Sequence, residues 1–217
     1  MMQSKMSEYR FDNYFGGRVN SETVAAMRGL AAPSATHPRV TILEGKSGTG
    51  KTHLLRALQS ESSCSNIKYI SIGEINRLAG NATAEGSAAF HDLTDQLVNT
   101  DLLLIDDVMY AAGREFTAWY LLEIIKRMNP NSLIVLAGDI VLEEFIRQIT
   151  EITSSIQHLR LYFPESDALR RFVWYTAKEV GIENQLDSDL VERILEDANW
   201  KPYRICAALN AFCFRTQ

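Results

Sequence analysis

The residues with the clearest chemical signature form a glycine-rich loop, Gly45-Lys46-Ser47-Gly48-Thr49-Gly50-Lys51-Thr52. The loop matches the phosphate-binding pattern of glycine, four residues, glycine, lysine, and serine or threonine. In such a loop the backbone N–H groups point at phosphate oxygens, and the next helix presents its positive end to the same anion. The pattern predicts that Lys51 reaches the β- and γ-phosphates and that Thr52 ligates Mg²⁺. The other residues predicted to surround the phosphates are Gly45, Ser47, Gly48, Thr49 and Gly50.

The flanks of this loop have the structural context that the motif requires. The apolar run Val40-Thr41-Ile42-Leu43 precedes it, and His53-Leu54-Leu55-Arg56-Ala57-Leu58 follows with helical spacing and no breaker. A glycine-rich turn that matches by chance is the alternative. Strand, loop and helix together favour a nucleotide site over that alternative.

Three carboxylates follow two other apolar runs. Asp106 and Asp107 close the run Asp101-Leu102-Leu103-Leu104-Ile105, and Asp139 follows 132–137. An unbroken apolar run is typical of a central parallel strand, and ligands bind at the carboxyl ends of such strands. We therefore predict that Asp106 organises Mg²⁺ and that Asp107 orients the attacking water. For Asp139, contact with the γ-phosphate or its water and capping of a helix at 141–149 both stay open.

Composition and charge exclude several classes of protein. The 217 residues carry a net charge of −5, which argues against a protein whose main partner is duplex DNA. We expect a cytoplasmic protein without a membrane span, because no window of about 20 residues is apolar and residues 1–6 lack the apolar segment of a signal peptide. The three cysteines and four histidines have no metal-type spacing and predict no zinc site.

The order of the predicted elements indicates an α/β fold. Strands are predicted at 40–43, 67–72, 101–107, 132–137 and 158–163, and helices at 21–30 (capped by Asn20), 53–58, 74–79, 84–98, 115–128 and 141–149. Three further helices are expected at 167–180, 187–199 and 202–214. We therefore predict a nucleotide-binding core at 1–164, with five parallel strands between helices, and a small helical lid at 165–217. The aromatic face of Phe116, Trp119 and Tyr120 is interpreted as core.

In its motifs and in the order of its elements, the chain resembles the AAA+ ATPases, and more narrowly the DnaA/Hda family of bacterial replication initiators. The resemblance rests on Gly50-Lys51-Thr52-His53-Leu54-Leu55, on Asp106-Asp107-Val108 with Ala112-Gly113-Arg114-Glu115, and on the segment 11–20, which is similar to the family's entry motif beside the adenine. It implies binding of ATP or ADP with Mg²⁺, with Phe15, Gly17 and His53 near the nucleotide and Arg204 as the lid's sensor arginine. Counted back from Leu209-Asn210, however, the register of Arg204 is one residue short of the family pattern.

Other departures from the family bear on hydrolysis and on DNA. No arginine occurs at 152–157, where the resemblance places the residue that reaches a neighbouring subunit's nucleotide, and Arg147 and Arg160 are the nearest substitutes. We therefore expect slow hydrolysis unless a partner supplies an arginine. No helix-turn-helix pattern follows the lid and the chain is acidic overall, so we expect no sequence-specific binding of duplex DNA. Residues 1–7 do not resemble the clamp-binding peptide with which Hda begins. The basic pairs Lys126-Arg127 and Arg170-Arg171 are interpreted as solvated helix faces.

Three functions remain open from the sequence. The first is a nucleotide-dependent assembly or regulatory factor in replication initiation, whose partner is an initiator, a sliding clamp or a replicative helicase. The second is a DnaC-like helicase loader, and the third is an AAA+ binding scaffold with little hydrolysis. Self-association and weak contact with single-stranded DNA are open in all three.

Overall fold

The computed structural model describes residues 9–81, 88–111, 113–139 and 143–215, and the prediction of an α/β fold is confirmed. Five parallel strands form one sheet in the order β2-β3-β4-β1-β5. The strands are β1 (Val40–Gly45), β2 (Ile67–Ser71), β3 (Leu102–Asp106), β4 (Leu133–Gly138) and β5 (Ile156–Leu161). The helices are α1 (Ser21–Gly29), α2 (Lys51–Glu61), α3 (Ile72–Asn81), α4 (Ala88–Val98), α5 (Glu115–Arg127), α6 (Glu143–Ile152), α7 (Ser166–Glu179), α8 (Ser188–Asp197) and α9 (Pro202–Arg215).

Helices cover both faces of the sheet, which is why its central strands are apolar without alternation. Successive side chains of a strand point to opposite faces. In β3, Leu103 and Ile105 pack into the cluster formed with α3 to α6, whereas Leu102 and Leu104 pack into the cluster formed with α1 and α2. Every residue of β3 and β4 is buried. Burial on both faces therefore explains the unbroken apolar runs of these strands.

The strand register brings distant polar residues to one edge of the sheet. Glu44 of β1 lies opposite Gly138 of β4, and Ile105 of β3 lies opposite Leu136 of β4. The chain leaves all three strands at the same edge, where the phosphate loop, the Asp106-Asp107 pair and Asp139 begin. This arrangement follows from parallel strands, whose carboxyl ends share one edge.

Helices α7, α8 and α9 pack around a hydrophobic cluster of their own, which includes Val173, Leu195 and Leu209. They contact the amino-terminal segment of the core through aromatic rings. The centroid of the Phe15 ring lies 5.7 Å from that of Phe172 and 5.1 Å from that of Tyr175. Phe15 therefore links the helical region to the core beside the phosphate loop.

One local prediction, the cap of α1, is wrong. Asn20 does not cap α1 with its side chain. Its amide group instead donates to the carbonyl oxygens of Gly16 (2.7 Å) and Tyr162 (3.0 Å), and its Oδ1 accepts from the Tyr162 N–H (2.9 Å). The fully buried asparagine thus joins the chain before α1 to the segment after β5. Because its side chain bonds to these partners, it does not cap α1.

The aromatic face of α5 is only partly core. Tyr120 is buried, but the side of the helix that carries Trp119 faces solvent, and Trp119 is 54% exposed. Most element bounds agree with the predictions within two residues. The starts predicted for α4 at residue 84 and for α6 at residue 141 lie outside the described residues. Within the described ranges, none of the helices has the length and apolarity needed to cross a bilayer.

Candidate functional site

A cavity of about 450 Å³ lies between the phosphate loop and the helical region. Residues from the amino-terminal segment, the loop, the carboxyl edge of the sheet and helices α7 and α9 line it. They are Tyr9, Asn13, Tyr14, Phe15, Ser47, Gly48, Thr49, Gly50, Lys51, Thr52, His53, Asp107, Met109, Tyr110, Asp139, Pro164, Leu169, Phe172, Pro202, Tyr203 and Cys206. The aromatic and aliphatic members suit a flat apolar ring, and the loop suits phosphates.

Lys51 is the only lysine among the described residues that line this cavity. It is 7% exposed, and its Nζ donates to the carbonyl oxygens of Gly45 (2.6 Å) and Lys46 (3.3 Å) and to Asp139 Oδ1 (2.7 Å). An ammonium group has three N–H donors, so all of them have acceptors. A phosphate must therefore replace one of these acceptors to bind Lys51.

Asp106 is held in place by three donors. Its Oδ2 accepts from Thr52 Oγ1 (2.7 Å) and from the Tyr69 hydroxyl (2.8 Å), and its Oδ1 accepts from the N–H of Asp107 (2.9 Å). The carboxylate is 2% exposed. Thr52, predicted as a metal ligand, and Asp106 thus lie side by side although 54 positions separate them.

The two other carboxylates have different surroundings. Asp107 has a φ of +60°, a left-handed conformation that aspartate adopts more readily than most residues with a side chain. Burial and the neighbouring charge of Asp106 raise the pKa of the Asp107 carboxyl above its ordinary value. Asp139 lines the cavity as the partner of Lys51, while residues 140–142, which would decide its role as a helix cap, lie outside the described residues.

The amino-terminal segment closes one side of the phosphate loop. The Tyr14 hydroxyl donates to the carbonyl of Thr49 (2.8 Å), and its ring packs so closely that a Cβ on Gly50 would lie 2.5 Å from it. Gly50 has a φ of +94°, so it is required both for its backbone conformation and for this contact. His53 packs against the rings of Tyr9 and Tyr14, and its Nε2 lies 2.9 Å from the Arg10 carbonyl.

The structure brings most of the predicted site residues together. Of those expected beside the nucleotide, Phe15 lines the cavity, whereas Gly17 lies outside it with a φ of +72°, where an added Cβ would be 2.8 Å from the carboxylate of Glu165. Gly45 contributes its carbonyl to Lys51. Arg204, predicted as the lid's sensor, is exposed and is not among the residues that line the cavity.

Sequence reasoning missed three residues of the site. Tyr203 lines the cavity where Arg204 was expected, and lies 3.8 Å from the position of a Cβ on Gly48. The one-residue offset from Leu209-Asn210 was the available signal for Tyr203. Tyr14 was part of the aromatic entry segment, but nothing in the spacing indicated its bond to Thr49. Tyr69 on β2 had no signal at all, since only the pairing of β2 with β3 brings it to Asp106.

The donor set at Thr52 and Asp106 fits Mg²⁺. This ion prefers oxygen ligands and is usually held by one or two protein groups together with phosphates and water. A hydroxyl and a carboxylate 2.7 Å apart at the edge of the phosphate site provide such a pair. The described residues contain no group of three or more histidine, cysteine, aspartate or glutamate side chains that could hold a metal alone.

Neither substitute for the missing arginine is in the cavity. Arg147 is exposed on α6 and pairs with Glu144 (2.7 Å) and Glu151 (2.8 Å). Arg160 is exposed on β5, and its Nε lies 3.8 Å from Glu44. No arginine is found among the described residues that line the cavity.

A second cavity, of about 540 Å³, opens beside the first between α3 and the β3–α5 connection. We call it the basic groove and define it by Gly73, Asn76, Arg77, Met109, Tyr110 and Arg114. Both arginines are exposed and form no ion pair with a described residue, and Tyr110 is 60% exposed. Two exposed cations beside an exposed ring are suited to a phosphodiester chain with unstacked bases.

The chain is similar in sequence to bacterial replication initiators. Residues 6–159, most of the chain, match the model of the bacterial DnaA ATPase domain. The chromosomal replication initiator protein DnaA of Methylacidiphilum infernorum is 26% identical over 229 aligned residues, covering 95% of this chain and 46% of that protein. The chain thus spans about half the length of this relative.

Solved structures show the same fold. The replication initiator DnaA bound to AMPPCP and single-stranded DNA superimposes with a TM-score of 0.75 at 21% identity, covering 94% of this chain and 64% of that chain. The DnaC helicase loader gives a TM-score of 0.53 at 16% identity, covering 71% of this chain and 97% of that chain. The similarity to the initiator is greater in score and in coverage of this chain.

Proposed function

Because the chain belongs to the family of bacterial DnaA ATPase domains, we propose that it binds ATP or ADP with Mg²⁺ in the cavity beside the phosphate loop and acts as a nucleotide-dependent factor in the initiation of DNA replication. This role corresponds to the cytoplasmic location expected from the sequence. The observation that carries the proposal is that five polar residues converge at one edge of the sheet, where three neighbouring strands end. They are Lys51, Thr52, Asp106, Asp107 and Asp139. Few arrangements other than a nucleoside polyphosphate site require all of them.

Each residue has a chemical role in this proposal. Lys51 exchanges Asp139 for phosphate oxygens, and Thr52 with Asp106 holds the ion, which when bound neutralises charge on the β- and γ-phosphates. Asp107 accepts a hydrogen bond from the attacking water once its carboxyl is ionised. Phe15, Leu169 and Phe172 supply the apolar surface for the base, and Tyr203 covers the phosphate loop from the helical side.

The direct test is the affinity for ATP measured by titration with a fluorescent analogue. Lys51→Ala removes a buried cation whose charged hydrogen bonds each contribute about 1.5–3 kcal/mol. We expect ATP to bind roughly ten- to a hundredfold more weakly. An unchanged affinity would contradict the assignment of this site.

Lys126→Ala is the matched control. It also removes one positive charge, but from the exposed end of α5, where Lys126 pairs with Glu123. Its ATP affinity should equal that of the unchanged protein. A similar loss in both variants would indicate a general charge effect instead of a nucleotide contact.

Single-stranded DNA is the partner that the surface supports best. A DnaA relative of similar fold is bound to single-stranded DNA in its structure. In this chain the basic groove offers Arg77, Arg114 and Tyr110 next to the nucleotide cavity, and Met109 and Tyr110 line both. We propose weak, sequence-independent binding there, and we propose that sequence-specific binding of duplex DNA is absent, as the net charge of −5 predicts.

The protein partner is the part of the function that the site leaves open. The proposal names an initiator, a sliding clamp or a replicative helicase, and a scaffold with little hydrolysis uses the same nucleotide site. Purification of the tagged protein in ATP and in ADP, with identification of what remains bound, separates these partners. Recovery of the helicase alone would favour the loader function over the initiation factor.

A further inference from the structure

We propose that Tyr69 is a positioning residue for Asp106, and through Asp106 for the Mg²⁺ that accompanies the nucleotide. The inference rests on the proposed function and adds a residue from β2 to the site. Tyr69 lies outside the residues that line the nucleotide cavity. It therefore acts on the ion only through the carboxylate.

The hydrogen bonds of Asp106 support this role. A carboxylate has about four lone-pair positions on its two oxygens. Oδ2 accepts from Thr52 Oγ1 at 2.7 Å and from the Tyr69 hydroxyl at 2.8 Å, so both of its positions are used. Oδ1 accepts from the Asp107 N–H at 2.9 Å, and one of its positions is not filled by a described residue. Three donors thus fix the plane of the carboxylate and leave one lone pair for an ion or its water.

The surroundings of Tyr69 fix its ring as well. The guanidinium carbon of Arg56 lies 3.4 Å from the centroid of the Tyr69 ring, a cation–π contact from α2, the helix that also carries Lys51 and Thr52. A tyrosine hydroxyl, whose ordinary pKa is about 10, is a neutral donor at physiological pH. Ring and hydroxyl are thus both held by contacts, the ring by Arg56 and the hydroxyl by Asp106.

The pairing of β2 with β3 accounts for the contact. Ser71 lies opposite Asp106 and Tyr69 opposite Leu104, so the Tyr69 side chain lies two positions before Asp106 on the neighbouring strand. Side chains two positions apart share a face of the sheet. The long phenol side chain reaches the carboxylate across this diagonal. A phenylalanine at this position would place the same ring there but could not donate the hydrogen bond.

Outer contacts of this kind orient metal ligands, and their loss typically weakens metal affinity about 10- to 100-fold. The test uses Tyr69→Phe, which deletes one oxygen and keeps the ring. The affinity for ATP is measured with Mg²⁺ and with EDTA. The Mg²⁺ ratio is the dissociation constant in EDTA divided by that in Mg²⁺, and it gives the contribution of the ion. This ratio is taken within one variant, so a uniform change in stability or in nucleotide contacts cancels.

Tyr120→Phe is the matched control, because the Tyr120 hydroxyl is also hydrogen-bonded to a side chain, that of Thr94 at 3.0 Å, but Tyr120 packs in the cluster on the opposite face of the sheet. We expect Tyr69→Phe to lower the Mg²⁺ ratio about tenfold and Tyr120→Phe to leave it unchanged. Thermal unfolding without nucleotide checks that both variants are folded. Arg56→Met, which keeps the hydroxyl but removes the cation from the ring, should lower the ratio in the same direction.

The outcomes distinguish this inference from the proposed function. If the unchanged protein binds ATP equally well with and without Mg²⁺, the proposed Mg²⁺–nucleotide site is wrong and the role of Tyr69 fails with it. If the unchanged protein depends on Mg²⁺ but Tyr69→Phe retains its ratio, or if Tyr120→Phe loses as much, only the positioning role is contradicted.

Discussion

Burial of polar side chains governs the site at the scale of single residues. Lys51 is almost fully buried and has replaced water with two carbonyl oxygens and Asp139. A buried charge without partners is costly, so these contacts maintain the loop before nucleotide arrives. In the proposed function, phosphate oxygens take the place of Asp139 on Lys51. We therefore expect nucleotide binding to change the contacts of Asp139, at the end of β4.

His53 gives a prediction about pH. Burial lowers the pKa of its imidazole below the ordinary value of 6.5, although the bond to the Arg10 carbonyl opposes part of the shift. Below about pH 6.5 the unfolded chain therefore binds a proton that the folded protein resists, and the free energy of unfolding falls as pH decreases. This stability is fully present above pH 6.5 and is lost progressively between that pH and the lower pKa of the folded state.

Urea unfolding between pH 5 and 8 measures the effect. His53→Gln should flatten the dependence on pH in the range below 6.5, because a glutamine does not titrate. His91→Gln removes an exposed histidine from α4 and serves as the control, with an expected curve parallel to that of the unchanged protein. An equally steep loss of stability in His53→Gln would show that other groups cause it.

At the scale of elements, helix α3 and the β3–α5 connection form the basic groove. Each phosphate contact made by a cation on single-stranded nucleic acid contributes about 0.7 to the slope of log affinity against log salt concentration. Arg77→Ala with Arg114→Ala should weaken binding to a mixed-sequence oligonucleotide and reduce this slope by about 1.4, as two contacts are removed. Fluorescence anisotropy across a range of salt concentrations measures both quantities.

The matched pair for this experiment is Arg171→Ala with Arg193→Ala. These arginines are also exposed, but they lie on α7 and α8 and are not among the residues that line the basic groove. Their removal changes the net charge equally and should leave the slope unaltered. Equal losses in the two pairs would mean that the groove is not the binding surface.

At the scale of the whole molecule, the positions of the arginines determine the expected rate of ATP hydrolysis. Phosphoryl transfer spreads negative charge over the transferred group, and an arginine from another subunit raises the rate about 10³- to 10⁵-fold in related chemistry. No arginine lines the cavity within the described residues, while Arg147 and Arg160 point to solvent. We expect the isolated protein to hydrolyse ATP slowly, at a rate per molecule that does not change with its concentration.

Steady-state phosphate release, measured over a range of protein concentrations, checks this expectation. Arg147→Ala and Arg160→Ala should match the unchanged protein. A rate per molecule that rises steeply with concentration and collapses in either variant would show that the chain supplies its own arginine to a neighbouring copy.

The sequence alone was enough to predict the phosphate loop, the buried strands and the edge where the site lies. Gly48 and Gly50 have φ values of +89° and +94°, which only glycine adopts without strain, so the motif alone specified the path of the loop and the start of α2. The apolar runs specified the buried strands, and their ends specified where Asp106, Asp107 and Asp139 would meet. These inferences hold because a loop conformation and the period of a strand depend on neighbours in sequence.

Tertiary structure decided the rest. Successive residues of a helix differ in direction by about 100°, so a shift of one position in α9 decides whether Tyr203 or Arg204 lines the cavity. Asn20 could cap α1 or join two distant segments, and only the packing of the chain after β5 selected the second. Tyr69 reaches Asp106 because β2 pairs with β3 in one register. Each of these outcomes depends on residues far apart in the chain, whose positions no local pattern specifies.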